Sequence, residues 1–130
     1  MLFRSREIRF GLGGGMLYVL VETSEVTATL LRSRELDVRV GPAQRYRFAV
    51  ENGDLAVRRE ARNGDGWAAV PSEAKAAAGD VLEVGIPLAE VPAPPGSRLE
   101  LRVLLRRGET ELERHPEVAP LKIPLEEMTR

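Results

Sequence analysis

The sequence contains no cysteine and only one histidine, His115. The absence of cysteine excludes disulfides and thiolate metal sites. A single histidine cannot supply the two or three ligands that a zinc or iron site needs, and no serine–histidine–acid pattern surrounds His115. We therefore expect no metal, no cofactor and no catalytic residue, so that this chain is not an enzyme on its own.

Excess positive charge and long apolar runs are also absent. Nineteen basic residues against twenty acidic ones leave a net charge of −1, whereas nucleic-acid binding needs clustered positive charge. No apolar run approaches the ~20 residues that span a membrane, and the N-terminus is charged where a signal peptide is apolar. We expect a cytoplasmic protein without nucleic-acid or membrane partners, in which residues 1–130 form one domain.

The residues that are present alternate repeatedly between apolar and charged side chains. In residues 98–106, for example, Leu99, Leu101 and Val103 are separated by arginine and glutamate, a pattern typical of half-buried antiparallel strands. Residues 16–21, MLYVLV, are apolar on both faces and predict a central strand. The chain is therefore predicted to be rich in β-strands.

Turn residues separate these runs. Asn52 and Gly53 form the pair that most strongly indicates a hairpin, and glycines within residues 11–16, 62–66 and 106–109 mark further reversals. Residues 72–79, SEAKAAAG, predict one short helix with Ser72 as its N-cap and Gly79 at its end. About nine or ten short strands and one short helix indicate an all-β fold, an antiparallel β-sandwich, with a closed barrel as the alternative.

Aromatic residues make up only 5% of the chain, which leaves few candidates for sugar binding, because sugar rings stack on exposed Trp or Tyr side chains. Trp67 follows a glycine-rich turn, and we expect it either to contact a ligand or to cap the core. Tyr18 points to the opposite strand face from Leu17 and Val19 and is the second candidate ligand-binding residue.

The C-terminal half carries a specific order of segments. A strand runs into the sequence IPL at residues 86–88, a PAPPGS loop leads to the alternating strand from Arg98, and ELERHPE and a closing strand follow the turn at Gly108. Upstream, GGGMLYVLVE occupies residues 13–22. Together these segments resemble the β-sandwich domain near the C-terminus of many glycoside hydrolase family 57 proteins. Its larger relatives are the glucodextranase C-terminal-like and family 9 carbohydrate-binding-like sandwiches.

The resemblance implies a non-catalytic accessory domain of an α-glucan-active glycoside hydrolase. The catalytic residues of that family lie on a separate barrel domain, so none is carried over to this chain. The implied partner is a glycoside hydrolase catalytic domain, covalently linked or separate, on which the sandwich packs, or an α-glucan that it contacts. His115 stands where the family usually has an aromatic residue before proline, and we expect it to flank a turn without a catalytic role.

Two other functions fit the sequence. One sheet face would bind an acidic protein partner or a second copy of the chain through arginines on alternating strands (Arg45, Arg47, Arg58 and Arg59). The other is a small-ligand sandwich that holds haem or a sugar between its sheets. Haem would need axial ligands, which His115 would supply together with Met16 or Met128.

Overall fold

The computed structural model describes residues 5–23, 25–91, 98–108, 110–116 and 119–124. Eleven strands in these ranges form two antiparallel sheets. The four-stranded sheet contains β1 (Ser5–Gly13), β2 (Met16–Thr23), β7 (Lys75–Ala78) and β8 (Leu82–Pro87). The seven-stranded sheet contains β3 (Glu35–Val40), β4 (Gln44–Glu51), β5 (Asp54–Asn63), β6 (Gly66–Val70), β9 (Arg98–Arg107), β10 (Thr110–His115) and β11 (Leu121–Pro124). The PAPPGS loop at residues 92–97 and Met128 lie outside the described residues.

Strand order confirms the predicted antiparallel β-sandwich. The four-stranded sheet has the order β1-β2-β8-β7, so β2 lies in its interior, as the apolar sequence MLYVLV predicts. The seven-stranded sheet has the order β10-β9-β3-β4-β5-β6. β11 pairs with the first half of β9, and β10 pairs with its second half.

The inward faces of both sheets form one hydrophobic core. From the four-stranded sheet it receives Leu17, Val19, Val21, Leu82, Val84 and Ile86, and from the seven-stranded sheet Leu36, Val38, Val40, Tyr46, Phe48, Leu101 and Val103. Full burial of such a side chain contributes about 1.5–3 kcal/mol, so the period-two alternation decides which strand face turns inward. The remaining side chains form two outer faces, one on each sheet.

Hairpins are confirmed at the predicted turns. Asn52 and Gly53 join β4 to β5 with φ angles of 54° and 85°, the left-handed conformation that a type I′ turn needs at both positions. Two glycines between β1 and β2 adopt the same region of φ. That tight turn fixes the register that places Gly11 opposite Tyr18.

The helix predicted at residues 72–79 is wrong. Lys75–Ala78 forms β7, an edge strand that pairs with β8, and Ser72 Oγ accepts a hydrogen bond from the Ala74 amide at 2.9 Å in a local turn. Alanine favours a helix by only about 0.5 kcal/mol per residue over most other residues, and so short a helix is marginal in any case. Pairing with β8 and packing of alternate alanines on the core therefore decide the structure.

Helical turns occur elsewhere. α1 (Thr27–Leu30) is a single turn after β2, and a 3₁₀ turn, Leu88–Glu90, follows β8. Thr27 Oγ1 donates a hydrogen bond to the carbonyl oxygen of Gly79 at 3.0 Å, which ties α1 to the end of β7. Within the described ranges, no helix is long and apolar enough to cross a membrane.

Candidate functional site

Tyr18 lies in a groove on the outer face of the four-stranded sheet. Strand pairing places one residue from each strand in a row across this face: Gly11, Tyr18, Gly85 and Lys75. The groove has a volume of about 690 Å³, and we call it the Tyr18 groove. Tyr18 is 52% exposed, and its hydroxyl group forms no hydrogen bond with the residues that the structure describes.

Two glycines leave room around the Tyr18 ring. A Cβ atom at Gly85 would lie 3.7 Å from Tyr18 Cε1 and 3.3 Å from Met16 Cε, so the missing side chain lets both residues lie against β8. A Cβ atom at Gly11 would meet no atom within 4 Å. The backbone of β1 beside the ring is therefore open, and a flat ligand surface has room to approach it.

Charged side chains border the apolar middle of the groove. The row next to Tyr18 contains Arg9, Leu20, Glu83 and Ala77, and Arg9 forms an ion pair with Glu7 at 3.0 Å. The groove thus combines one exposed aromatic ring and aliphatic side chains with polar groups at its borders.

Trp67 lies on the outer face of the seven-stranded sheet, among three arginines. The guanidinium carbons of Arg45, Arg62 and Arg39 lie 4.5, 5.2 and 5.5 Å from the centroid of its ring, within the range of cation–π contacts. We call these four residues the Trp67 cluster. They come from four adjacent strands, β3 to β6, and Arg62 is directly opposite Trp67.

The structure separates the two ligand residues that the sequence suggests. Tyr18 faces outward from the four-stranded sheet and Trp67 outward from the seven-stranded sheet, so the hydrophobic core lies between them. They cannot contribute to one site. Tyr18 has the exposure that stacking on a ligand requires, whereas the half-buried Trp67 ring is surrounded by its arginine neighbours.

Most charged side chains beside the Trp67 cluster pair with one another. Arg47 donates hydrogen bonds to both carboxylate oxygens of Glu35, at 2.9 and 3.0 Å. Arg45 pairs with Glu60 at 2.6 Å, and Arg47 reaches Glu60 at 3.3 Å. Burial alone would raise the pKa of Glu35, but hydrogen bonds with Asp37 and Arg47 lower it below its usual value.

Asp37 is a fully buried carboxyl group within this charged face. Nε of Arg106 lies 3.7 Å from its Oδ2, yet neither carboxyl oxygen accepts a hydrogen bond from the described residues. Burial and, after it, the hydrogen bond with Glu35 raise the pKa of Asp37 to about 8. Asp37 therefore stays protonated to a higher pH than an ordinary aspartate.

The two arginines of the Arg58–Arg59 pair lie on opposite faces of β5. Arg58 points outward and pairs with Glu51. Arg59 points inward, where it donates hydrogen bonds to the carbonyl oxygens of Pro71 at 2.8 Å and Glu90 at 2.9 Å. Only one of them is therefore available to an outward interaction surface.

Another buried carboxylate, Glu90, joins the two sheets. Its oxygens accept hydrogen bonds from Tyr46 Oη at 3.0 Å, Ser72 Oγ at 2.8 Å and the Glu73 amide at 2.6 Å. Burial alone would raise the pKa of Glu90, but these hydrogen bonds and the nearby Arg59 lower it below its usual value. Because these contacts occupy both oxygens, Glu90 serves as a structural link.

His115 is the last residue of β10, pairs with Val103 and is half-buried. It belongs to the seven-stranded sheet, whereas Met16 points outward from the other sheet, so the structure does not bring these two possible haem ligands together. No group of three or more His, Asp or Glu side chains in the described ranges is arranged to hold a metal ion.

Comparisons with known protein families, with curated proteins and with solved structures found no match to this chain. The candidate site is therefore defined by its geometry. The Tyr18 groove combines an open, largely apolar surface with an exposed aromatic ring.

Alternation along β2 predicts that Tyr18 points outward, but it does not predict most of the residues around it. Gly85 and Lys75 belong to strands far along the chain, and their place in the row depends on long-range pairing. The position of Gly11 beside Tyr18 could be predicted from the sequence, because the β1–β2 hairpin determines which residues of the two strands are paired. The arginines around Trp67 could not be predicted either, because they lie on other strands and approach Trp67 only when the sheet forms.

Proposed function

We propose that the chain is a non-catalytic accessory domain of a cytoplasmic, α-glucan-active glycoside hydrolase, and that it contacts the polysaccharide through the Tyr18 groove. The observation that carries this proposal is the half-exposed Tyr18 ring beside open space over Gly11. The resemblance of the sequence to the accessory sandwiches of glycoside hydrolase family 57 supports it. Because a fold does not establish a function, the chemistry of the groove is what the proposal depends on.

That chemistry suits a sugar ring. The apolar face of a pyranose ring stacks on an aromatic plane in preference to water, and Tyr18 supplies such a plane. The two glycines beside it leave the strand backbone accessible. At the border, Arg9, Lys75 and Glu83 offer hydrogen-bond donors and acceptors to sugar hydroxyl groups.

The shape of the groove favours an extended chain over a compact small molecule. Its lining reaches from Phe10 on β1 to Ala77 on β7 and so crosses all four strands. One stacking ring gives weak binding, which is sufficient for an accessory domain because linkage to a catalytic domain raises the effective concentration of the polysaccharide.

Packing on the catalytic domain is the second candidate function. Phe10 is 43% exposed on β1, the edge strand of the same sheet, so a protein partner that covers the groove and this edge would bury a second large aromatic residue. The arginine-rich face is a weaker candidate for an interaction surface, because Arg45 and Arg47 already pair with carboxylates of the same chain.

Affinity electrophoresis in native gels that contain glycogen, amylose or pullulan tests the glucan contact. Wild type and Tyr18→Phe, which keeps the ring, should be retarded, and Tyr18→Ala should migrate as in a gel without polysaccharide. Trp67→Ala is the matched control, because it removes an aromatic side chain from the opposite face of the sandwich. Circular dichroism of each variant checks that the fold is retained.

The other outcomes of this experiment are also informative. Retardation that is lost in Trp67→Ala and kept in Tyr18→Ala would contradict the assignment to the Tyr18 groove. Equal mobility of wild type with and without each polysaccharide would rule out the glucan contact and leave packing on a catalytic domain as the function of this face.

A further inference from the structure

A second pocket lies on the outer face of the seven-stranded sheet, and the proposed glucan contact does not use it. Its volume is about 450 Å³, and its lining includes Arg39, Arg62, Arg102, Trp67 and Glu100. The lining thus contains three arginines and one glutamate. The turn between β3 and β4 forms one wall of this pocket, which we call the arginine pocket.

Two of these arginines have no carboxylate partner. Neither Arg39 nor Arg62 lies within ion-pair distance of an Asp or Glu side chain in the part of the chain that the structure describes. Nε of Arg39 is also buried and has no hydrogen-bond acceptor among the same residues. The neighbouring Arg45, by contrast, is neutralised by Glu60 at 2.6 Å.

The environment of Arg39 is unfavourable for an unpaired cation. Burial is the main cause that lowers the pKa of Arg39. The charges of Arg45 and Arg106 lower it as well, whereas those of Asp37 and Glu111 raise it, and the net shift is downward. Contact with the Trp67 ring compensates in part, because a cation–π contact contributes about 0.5–2 kcal/mol. An anion in the pocket would stabilise the positive charges of Arg39 and Arg62 together.

We propose that the arginine pocket binds the phosphate group of a small phosphate monoester, such as a sugar phosphate. A phosphate monoester carries a charge of about −1.5 to −2 at pH 7, which complements the positive charges of Arg39 and Arg62. The planar guanidinium group matches the geometry of phosphate oxygens. The pocket has more room than a phosphate ion needs, and Trp67, Pro42 and Pro120 provide apolar walls for the organic part.

Trp67 makes this proposal directly measurable, because it is the only tryptophan in the chain and lines the pocket. We would titrate the protein with glucose 6-phosphate, inorganic phosphate and glucose at constant ionic strength and follow the fluorescence of Trp67. A saturable change with glucose 6-phosphate, weaker binding of inorganic phosphate and no change with glucose are the expected results.

Charge-removing variants locate the binding. Arg39→Gln and Arg62→Gln should each weaken the binding of glucose 6-phosphate at least tenfold, because each removes a charge-assisted hydrogen bond. Arg58→Gln is the matched control: it removes the same charge from the same strand as Arg62, but its guanidinium pairs with Glu51 outside the pocket. The affinity of Arg58→Gln for glucose 6-phosphate should stay within twofold of that of wild type. Arg62 is exposed, so its variant tests the proposal even if Arg39→Gln does not fold.

Three results would overturn the proposal. One is a fluorescence signal that fails to saturate with glucose 6-phosphate, and another is equal weakening in Arg58→Gln and Arg62→Gln, which would indicate a general effect of charge. The third is binding of inorganic phosphate as tight as that of the ester, which would mean that the organic part makes no contact. Tyr18→Ala should leave this titration unchanged, so failure of the glucan contact and failure of the arginine pocket are distinguishable.

Discussion

The two outer faces of the sandwich differ in how their side chains are satisfied. On the seven-stranded sheet, arginines and glutamates pair with one another, and Arg47 alone contacts both Glu35 and Glu60. On the four-stranded sheet, the row through Tyr18 contains glycines and aliphatic neighbours, with charges only at its borders. The first face, apart from the arginine pocket, is occupied by contacts within the chain, while the second has exposed apolar surface.

This difference predicts that the face of the seven-stranded sheet contributes to stability and that the face around Tyr18 contributes to binding. Charged groups that are mostly withdrawn from water destabilise a fold when their partners are removed, so substitutions on the seven-stranded sheet should change stability. Exposed side chains without internal contacts contribute little to stability, so substitutions around Tyr18 should change binding. The following variants test that contrast.

The largest effect is expected at Asp37, in the charged face. Its pKa is about 8 in the folded chain and about 3.9 in an unfolded chain, so between these values the folded chain binds more protons. The contribution of Asp37 to the free energy of unfolding should therefore fall as pH rises from about 4 to about 8 and level off above that. Between pH 5 and pH 9 this fall should be about 4 kcal/mol. Asp37→Asn should remove most of this fall in urea unfolding, and an unchanged slope in the variant would contradict the assignment.

Glu35→Gln should destabilise the fold by about 2 kcal/mol at pH 7, because Arg47 and Arg106 would lose a carboxylate partner while only partly exposed. Glu51→Gln is the control, since the pair of Glu51 with Arg58 is largely exposed and such pairs contribute less than about 1 kcal/mol. Urea unfolding of both variants measures the difference. Equal losses of unfolding free energy would mean that the partly buried pairs of Glu35 stabilise the fold no more than the exposed pair of Glu51 does.

Gly85→Val should act on the other face, by filling the Tyr18 groove. Its Cβ alone would come within 3.3 Å of Met16, and the added methyl groups would displace the Tyr18 ring. We expect at least a tenfold loss of glycogen affinity in affinity electrophoresis, about 1.4 kcal/mol, with a change in unfolding free energy below about 1 kcal/mol. Ala69→Val, on the exposed surface of β6, should leave glycogen affinity unchanged, and full affinity in Gly85→Val would place the glucan elsewhere.

The smallest effect on stability is expected when the hydroxyl group of either tyrosine is removed. Tyr46→Phe removes a buried hydroxyl group that donates to Glu90 at 3.0 Å and should cost about 1 kcal/mol of stability. Tyr18→Phe removes a hydroxyl group that forms no hydrogen bond with the described residues, so its midpoint of urea unfolding should match that of wild type. An equal loss of stability in both variants would contradict the conclusion that the Tyr46 hydroxyl is a buried structural link and the Tyr18 hydroxyl is not.

Local patterns predict much of this fold but only part of its candidate sites. The Asn52–Gly53 hairpin and the alternation in β9 are properties of neighbouring residues, and both are confirmed. The helix expected at residues 72–79 is wrong, because a contact with a distant strand outweighs a weak local preference. Tyr18 follows from alternation along β2, whereas the position of Gly85 beside it depends on pairing that no local pattern contains.

The pairing of β2 with β8 also affects how the chain folds as it is synthesised. The hairpins from β3 to β6 join neighbouring segments, but β2 pairs with residues about 60 to 70 positions later in the chain. Until those residues emerge from the ribosome, β2 has only β1 as a partner, and it exposes an apolar strand with a free edge, which is the combination that promotes aggregation. The strand that carries the candidate binding residue is therefore also one of the segments of the nascent chain that a chaperone would need to protect, together with β3, which pairs with β9 across the same sequence separation.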